Sequence, residues 1–331
     1  MPTVREKMLK PRFTKELELD NLPPESLTPF WIELIQDGLS QPVEIPVLVA
    51  KGKNPGPIFG ITAALHGNEL NGIPVLHKLL NNLPLNRMKG TVVGVIAANT
   101  IAIHHHKRRL YEGVDPNHIM PGKDSGSTAE VYVHRLFNRV VNQFDYLIDL
   151  HTSSFGRNNS LYVRADMKNI DTRTMAYLQH PQIIVHNPPS DYTLRGSAME
   201  HGIPAITLEI GDPQVFQIQY VKRSIRGIKA VLREFELMPR KKVAVPPPPV
   251  ICKSSYWLYT QQGGFLEVLP EVTDIVEKDQ VIARVVNPFG TLIKEYKSPE
   301  RGIVVGKNVN PVAQTGSRII HLGLIAKTEV F

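Results

Sequence analysis

The chain has 331 residues, of which 42% are hydrophobic and 21% charged, a composition that is typical of a globular protein and excludes a disordered one. Its one cysteine, Cys252, excludes an intrachain disulfide and a thiolate metal cluster. The net charge of +7 is mild, and the sequence has no dense basic stripe, which favours a small anionic ligand over nucleic acid. The alternative is that the excess is ordinary surface charge. Without a membrane span or a signal-peptide core, the chain is expected to be cytoplasmic, with no membrane attachment.

Residues 1–40 are polar and mixed, and they are predicted to form a peripheral arm. Beyond them, strands alternate with helices, which favours a mixed or parallel sheet with helices on both faces. The predicted strands cover residues 43–50, 57–67, 91–100, 146–153, 159–165, 182–187 and 204–211. The predicted helices cover residues 68–83, 127 to about 144, and 216 to about 237. Ser127 and Glu130 form a predicted capping box at the start of the second helix.

The pattern changes after residue 240. The proline-rich segment 241–250 is predicted to be a stiff, extended linker. Short strand-like runs alternate with turns over residues 251–331, without helical periodicity, which predicts a small all-β domain. The catalytic domain is therefore expected to cover residues 41–240. For the β domain, we favour a lid or substrate-gating role over a carrier role.

The segment HGNE places His66 and Glu69 where a buried strand passes into a helix. Open α/β sheets bind ligands at this edge, and a His and a Glu three residues apart at a turn can face one point. His151 also ends an apolar strand, with Asp149 as its expected supporting carboxylate. Two His and one Glu, with a fourth position open to water, indicate a catalytic zinc site. The alternative is a chance pairing, because the chain has 12 histidines.

Glu209 stands in an otherwise apolar strand that ends at Gly211. Burial beside a metal would raise the pKa of this carboxyl towards the working pH, as a base that activates water requires. A structural carboxylate that binds nearby backbone N–H groups is the alternative, and the residues alone leave both open.

Several arginines fall in loops or at strand ends, where they either bind an anionic substrate or are solvated surface residues. Guanidinium pairs with carboxylate through two parallel hydrogen bonds, and one Arg can stabilise an oxyanion. These residues are Arg108, Arg109, Arg157, Arg164 and Arg195. Asn117, in the segment DPNH, is most simply a turn residue.

The segments HGNELNG, DLHTSS and TLEIG, in this order and spacing, resemble the succinylglutamate desuccinylase/aspartoacylase family, which is related to the zinc carboxypeptidases. The resemblance covers residues 42–330 and implies a zinc-carboxypeptidase-like mixed sheet flanked by helices, with a small C-terminal all-β domain. It also implies one Zn²⁺ per chain, held by His66, Glu69 and His151, with Glu209 as the catalytic base and acid.

The resemblance assigns two arginines as well. Arg195 matches the family arginine that binds a substrate carboxylate. Arg109 matches the arginine that precedes the family's Asp-Leu-Asn-Arg segment and polarises the scissile carbonyl, although the spacing admits Arg108 too.

The chain departs from the family in that segment. Asn117 is retained as a candidate substrate-binding residue, but His118 stands where the family has an Arg that grips the substrate carboxylate. A histidine cannot form the bidentate hydrogen bonds of a guanidinium, so the substrate pocket is expected to differ from that of the family members with an Arg here. Arg157 is the candidate that supplies the missing charge.

These residues favour a zinc-dependent amidohydrolase that deacylates a small anionic N-acyl amino acid or a related N-acylated amine. The alternative is a zinc carboxypeptidase acting on short peptides, which needs the firm carboxylate grip that His118 weakens. A binding protein without activity is the third hypothesis, and the complete set of His66, Glu69, His151 and Glu209 argues against it. A homo-oligomer is compatible with the sequence.

Overall fold

The computed structural model describes residues 10–241 and 247–326. The strands are β1 (Arg12–Thr14), β2 (Ser26–Gln36), β3 (Pro42–Lys51), β4 (Asn54–Ala63), β5 (Lys89–Val95), β6 (Tyr146–His151), β7 (Arg157–Asn159), β8 (Leu161–Ala165), β9 (Ile183–His186), β10 (Ala205–Ile210), β11 (Val250–Tyr259), β12 (Gly264–Val268), β13 (Ile275–Val276), β14 (Val281–Val286), β15 (Leu292–Lys297), β16 (Gly302–Asn308), β17 (Val312–Ala313) and β18 (Arg318–Ile325). The helices are α1 (Gly72–Leu80), α2 (Thr100–His104), α3 (Thr128–Arg139), α4 (Ile170–Leu178), α5 (Leu194–Glu200) and α6 (Ile218–Glu234).

A 14-stranded mixed sheet runs through the described residues in the order β1-β2-β3-β5-β4-β6-β10-β8-β9-β11-β18-β16-β13, with β7 pairing with β16. The central strands β5, β4, β6 and β10 are parallel neighbours. Their sequences are nearly continuous apolar runs because helices cover both faces. The carboxyl ends of β4, β6 and β10 therefore meet at one edge, which confirms the predicted mixed sheet flanked by helices.

Two apolar layers pack on opposite faces of this sheet. One contains the buried side of α3, and the other contains α1, α4 and α6. The buried positions of α6 recur at helical spacing and are Val221, Ser224, Gly227, Ile228, Val231 and Leu232. Each large apolar side chain that is fully buried stabilises the fold by about 1.5–3 kcal/mol.

The N-terminal segment differs from the predicted peripheral arm. Strand β2 pairs antiparallel with β3 along its whole length, and Phe30, Ile32 and Leu34 are buried in the core. The charged residues before β2 give the segment its polar average and conceal the alternation within the strand. Residues 1–9 of the predicted arm lie outside the described residues.

The capping box is confirmed, because Ser127 and Glu130 bond each other's backbone N–H groups at the start of α3. That helix ends at Arg139, short of the predicted end. Helix α1 begins at Gly72, four residues after the predicted start, because HGNEL forms a loop. The sequence pattern does not predict helices α2, α4 and α5.

The C-terminal region contains strands and no α-helix over residues 250–326, as predicted for an all-β domain. The large sheet nevertheless continues into it, since Val250 of β11 pairs in parallel with Ile183 of β9. Four further strands form a second sheet in the order β15-β14-β12-β17. Of the predicted linker, residues 242–246 lie outside the described part of the chain, and the domain boundaries remain a prediction. None of the described helices has the length and hydropathy of a membrane span.

Candidate active site

The loop between β4 and α1 supplies two candidate metal ligands. His66 and Glu69 are each 1% exposed, and Nδ1 of His66 lies 3.0 Å from Oε1 of Glu69. Between them, Gly67 packs so close to α2 that a Cβ atom would lie 2.0 Å from the carbonyl carbon of Ala102. The loop can take this course because residue 67 has no side chain.

His151, the last residue of β6, completes the group. Its Nδ1 lies 2.9 Å from Oε2 of Glu69. One ligand atom from each of His66, Glu69 and His151 falls within 4.8 Å of the others, so these three residues could bind a metal ion together. The structure brings together residues that the sequence separates by 82 positions.

Each histidine is held through its other ring nitrogen. Nε2 of His66 lies 3.0 Å from Oδ1 of Asp115, and Nε2 of His151 lies 2.6 Å from Oδ2 of Asp149. Thr62 donates a hydrogen bond to the second oxygen of Asp149, at 2.6 Å. These carboxylates favour the tautomer with the proton on Nε2, which leaves Nδ1 free to bind a metal.

The donors fit a zinc ion. Nδ1 of His66 is buried and has no hydrogen-bond partner in the described structure, although the Glu69 carboxylate is near. Burial alone would raise the pKa of Glu69, but His66, His151 and Arg108 outweigh burial and hold that pKa well below its usual range. A buried carboxylate anion with two imidazole nitrogens is a donor set that Zn²⁺ prefers.

Glu209 lies at the end of β10, paired in the sheet with His151 of β6. Its Oε2 accepts a hydrogen bond from the Asn159 amide at 3.2 Å, and its Oε1 lies 3.9 Å from Nε of Arg164. Burial and the nearby Glu69 raise the pKa of Glu209. Glu209 and the three candidate ligands line one cavity of about 220 Å³.

The structure favours Arg108 over Arg109 as the arginine beside the candidate metal ligands. Nη1 of Arg108 donates to Oε1 of Glu69 at 2.6 Å, and its Nε donates to Asp115 at 2.9 Å. Arg109 is exposed, does not line the cavity, and donates to the carbonyl of Gly113. In this irregular segment after α2 the two neighbouring side chains take different directions, which spacing alone could not resolve.

Asn117 and His118 both line the cavity. The side-chain oxygen of Asn117 accepts a hydrogen bond from the backbone N–H of Leu194, at 2.7 Å. Asn117 therefore fixes the start of α5 as well as facing the cavity, which is more than the turn role that its segment indicates.

Arg195 and Arg157 both line the cavity, but only Arg195 has bonding partners for its guanidinium within the described residues. Arg195 is fully buried, forms an ion pair with Asp191 and donates to the carbonyl oxygens of Asn187 and Pro188. Arg157 makes no side-chain hydrogen bond or ion pair with any residue that the structure describes.

Sequence reasoning missed several residues that contribute to the site. Asp115 stands two residues before Asn117, and no local pattern marks it as the partner of His66. Asp191, the partner of Arg195, lies four residues before it in a loop without a recognisable motif. Trp257 and His321 come from the C-terminal strands, and nothing in their spacing links them to the cavity that they line.

Known proteins match this chain over most of its length. A profile of the Succinylglutamate desuccinylase/Aspartoacylase catalytic domain matches residues 55–235, more than half of the chain. N-alpha-acetyl-L-2,4-diaminobutyric acid deacetylase of Halomonas elongata is 24% identical over 300 residues, which cover 86% of this chain and 87% of the relative.

Solved structures match the fold. The product-bound ectoine utilization protein EutE (DoeB) from Ruegeria pomeroyi has a TM-score of 0.82 at 17% identity. The succinylglutamatedesuccinylase/aspartoacylase from Rhodobacter sphaeroides has a TM-score of 0.81 at 18% identity. Each match covers 92% of this chain and 98% of the other. At these identities the likeness shows a shared fold.

Proposed function

The chain belongs to the succinylglutamate desuccinylase/aspartoacylase family, and from that premise we propose that it is a zinc-dependent amidohydrolase that deacylates a small N-acyl amino acid or a related N-acylated amine. The observation that carries the proposal is the convergence of His66, Glu69, His151 and Glu209 on one cavity. A cavity of about 220 Å³ suits a small molecule better than a long peptide.

His66, Glu69 and His151 would hold one zinc ion, which supplies Lewis-acid polarisation of the scissile carbonyl and lowers the pKa of bound water. Asp115 and Asp149 orient the two imidazoles through their Nε2 atoms. Their role is to keep both Nδ1 atoms directed at one point before substrate arrives.

Glu209 is the proposed proton carrier. Its carboxylate takes a proton from the water that attacks the amide carbon, and returns that proton to the leaving nitrogen as the C–N bond breaks. The products are a carboxylic acid and an amine. Burial and Glu69 raise the pKa of Glu209, which makes its carboxylate a stronger base towards the attacking water.

Arg108 is the proposed oxyanion donor. Its Nε and Nη1 are bound by Asp115 and Glu69, which fix the plane of the guanidinium. Its Nη2 makes no hydrogen bond to another described residue. This N–H pair is available to the oxygen that becomes negative in the transition state.

The acetyl group is the first acyl group to test, because the Halomonas elongata relative is named as a deacetylase. The experiment measures amine release by zinc-loaded protein from N-acetyl, N-succinyl and longer N-acyl amino acids and from short peptides. We expect turnover of one N-acyl class. Cleavage of peptides alone would favour the carboxypeptidase alternative.

The Glu209→Gln variant accompanies that panel. We expect it to lose about a hundredfold to ten-thousandfold in kcat and to keep its zinc, because the change removes the proton carrier and leaves the ligands. Glu267→Gln, at an exposed position of β12, is the matched control. Retained activity in Glu209→Gln would contradict the role assigned to Glu209.

A further inference from the structure

Four arginines among the described residues line the cavity, and three of them already have partners within the chain. Arg108 bridges Glu69 and Asp115, and Arg195 pairs with Asp191. Arg164 donates to the Tyr162 hydroxyl at 3.0 Å and to the Asn187 side chain at 3.3 Å. These three guanidinium groups are occupied before any ligand arrives.

Arg157 is the fourth, and it has no such partner. Its side chain is half-buried, yet no carboxylate oxygen of the described residues lies within 4.0 Å of its guanidinium. Arg318, at the start of β18, likewise makes no side-chain hydrogen bond or ion pair in the described structure. Arg157 therefore lines the cavity and Arg318 lines an adjoining cleft, each without a side-chain hydrogen bond or ion pair to the described residues.

Trp257 brings the two arginines together. The guanidinium carbon of Arg157 lies 5.9 Å from the centroid of the indole, and that of Arg318 lies 5.3 Å from it. Burial and the positive charge of Arg318 lower the pKa of Arg157, so the two cations oppose each other. The indole attracts each cation only weakly and neutralises neither, so cation–π contact leaves the positive charge available to an anion.

This cluster stands between two cavities. Arg157 lines both the cavity of the candidate active site and a neighbouring cleft of about 270 Å³. Arg318 lines the neighbouring cleft, and Trp257 lines the first cavity. Strand β7 carries Arg157 and is fixed by β16, since Arg157 pairs with Asn308. The C-terminal strands therefore both position Arg157 and contribute the other two residues.

We propose that Arg157, Trp257 and Arg318 form a carboxylate-binding subsite, which holds the free carboxylate of the substrate while its amide lies at the metal ligands. The proposal rests on the proposed function and narrows it to N-acyl amino acids with a free α-carboxylate, as opposed to N-acylated amines without one. In this proposal the C-terminal region contributes to substrate specificity. The two arginines supply a permanent positive charge, which His118 cannot because its imidazole titrates.

A kinetic test compares an N-acyl amino acid with its α-carboxamide, using the full zinc-loaded chain. Arg318→Gln should lower kcat/KM for the acid about tenfold, mainly through KM, and leave the carboxamide within twofold. Arg318→Lys should keep part of the preference for the acid. Arg284→Gln, an exposed residue of β14 that pairs with Glu295, is the matched control and should change neither substrate. Equal losses on both substrates would overturn the proposal.

A binding test requires no turnover. The chain has two tryptophans, so in a Trp31→Phe variant the emission comes from Trp257 alone. N-acetylglycine should change this emission saturably, N-acetylglycinamide should not, and adding Arg318→Gln should weaken N-acetylglycine about tenfold.

The two tests separate the subsite from the proposed activity. Saturable binding that depends on Arg318, in a protein that hydrolyses no acyl compound, would support the subsite and contradict the amidohydrolase. Hydrolysis of an N-acyl class, with N-acetylglycine bound equally well with and without Arg318, would overturn the subsite alone.

Discussion

Asp115 and Asp149 determine which nitrogen each candidate ligand histidine presents to Glu69. Asp149 lies 2.6 Å from Nε2 of His151, and its other oxygen is held by Thr62. Burial alone would lower the pKa of His151, but Asp149 and Glu69 outweigh burial and raise that pKa well above its usual value. The site therefore favours positive charge at His151, and a bound divalent cation would supply that charge in place of a proton.

The Asp149→Asn variant tests this support. We expect zinc to bind about 10- to 100-fold more weakly, because an amide neither fixes the tautomer nor strengthens the imidazole as a ligand. Competition with a chelator of known affinity measures the loss. Asp279→Asn, in an exposed turn of the C-terminal region with a positive φ that asparagine tolerates, is the control. Equal zinc affinity in both variants would count against the role of Asp149.

Neighbouring arginines offer a second test at this scale. Arg108→Gln should lower kcat about a hundredfold to a thousandfold, since it removes the proposed oxyanion donor beside the candidate metal ligands. Arg109→Gln is the matched comparison, because Arg109 bonds a backbone carbonyl outside the cavity. Steady-state kinetics on one N-acyl substrate measure both. Equal losses in the two variants would contradict the assignment of the role to Arg108. A loss confined to the Arg109 variant would assign the role to Arg109.

At the scale of elements, the site depends on two features. The parallel strands β4, β6 and β10 end at one edge of the sheet, and the loop between β4 and α1 packs closely against α2. Gly67 allows that loop, since any Cβ there would overlap the backbone of Ala102. The HGNE segment therefore needs its glycine for the course of the chain, while His66 and Glu69 are its candidate metal ligands.

Gly67→Ala should destabilise the protein by about 1–3 kcal/mol and weaken zinc binding, because the loop must move away from α2 and carry both ligands with it. Urea unfolding and zinc titration measure the two effects. Gly38→Ala is the control, because a Cβ at Gly38 meets nothing within 4 Å, and its effect should stay within about 0.5 kcal/mol. A Gly67→Ala protein with unchanged stability would contradict the close approach.

For the whole molecule, the sequence pattern predicted those helices and strands whose buried apolar residues recur at a clear helical or strand spacing. The strands that carry His151 and Glu209 were predicted because they are apolar runs. Strand β2 was missed because charged neighbours conceal its alternation, and Arg108 could not be separated from Arg109 because the backbone between them is irregular. Trp257 lines the candidate site from β11, which joins the sheet through long-range pairing with β9 and β18 that no local pattern records.

That long-range pairing bears on how the molecule unfolds. The large sheet passes from β9 to β11 without a break, and β7 is held by β16. The predicted catalytic and β domains therefore share backbone hydrogen bonds, and we expect them to unfold in one cooperative transition. Trp31 on β2 and Trp257 on β11 report from distant parts of the sheet.

Two single-tryptophan proteins, Trp31→Phe and Trp257→Phe, make the test possible. If the sheet unfolds as one unit, each variant's fluorescence transition in urea should coincide with its own transition by far-UV circular dichroism, because both probes follow the same event. A Trp257 transition that precedes the dichroism change would show that the C-terminal strands separate first. Their residues would then leave the candidate site before the fold is lost.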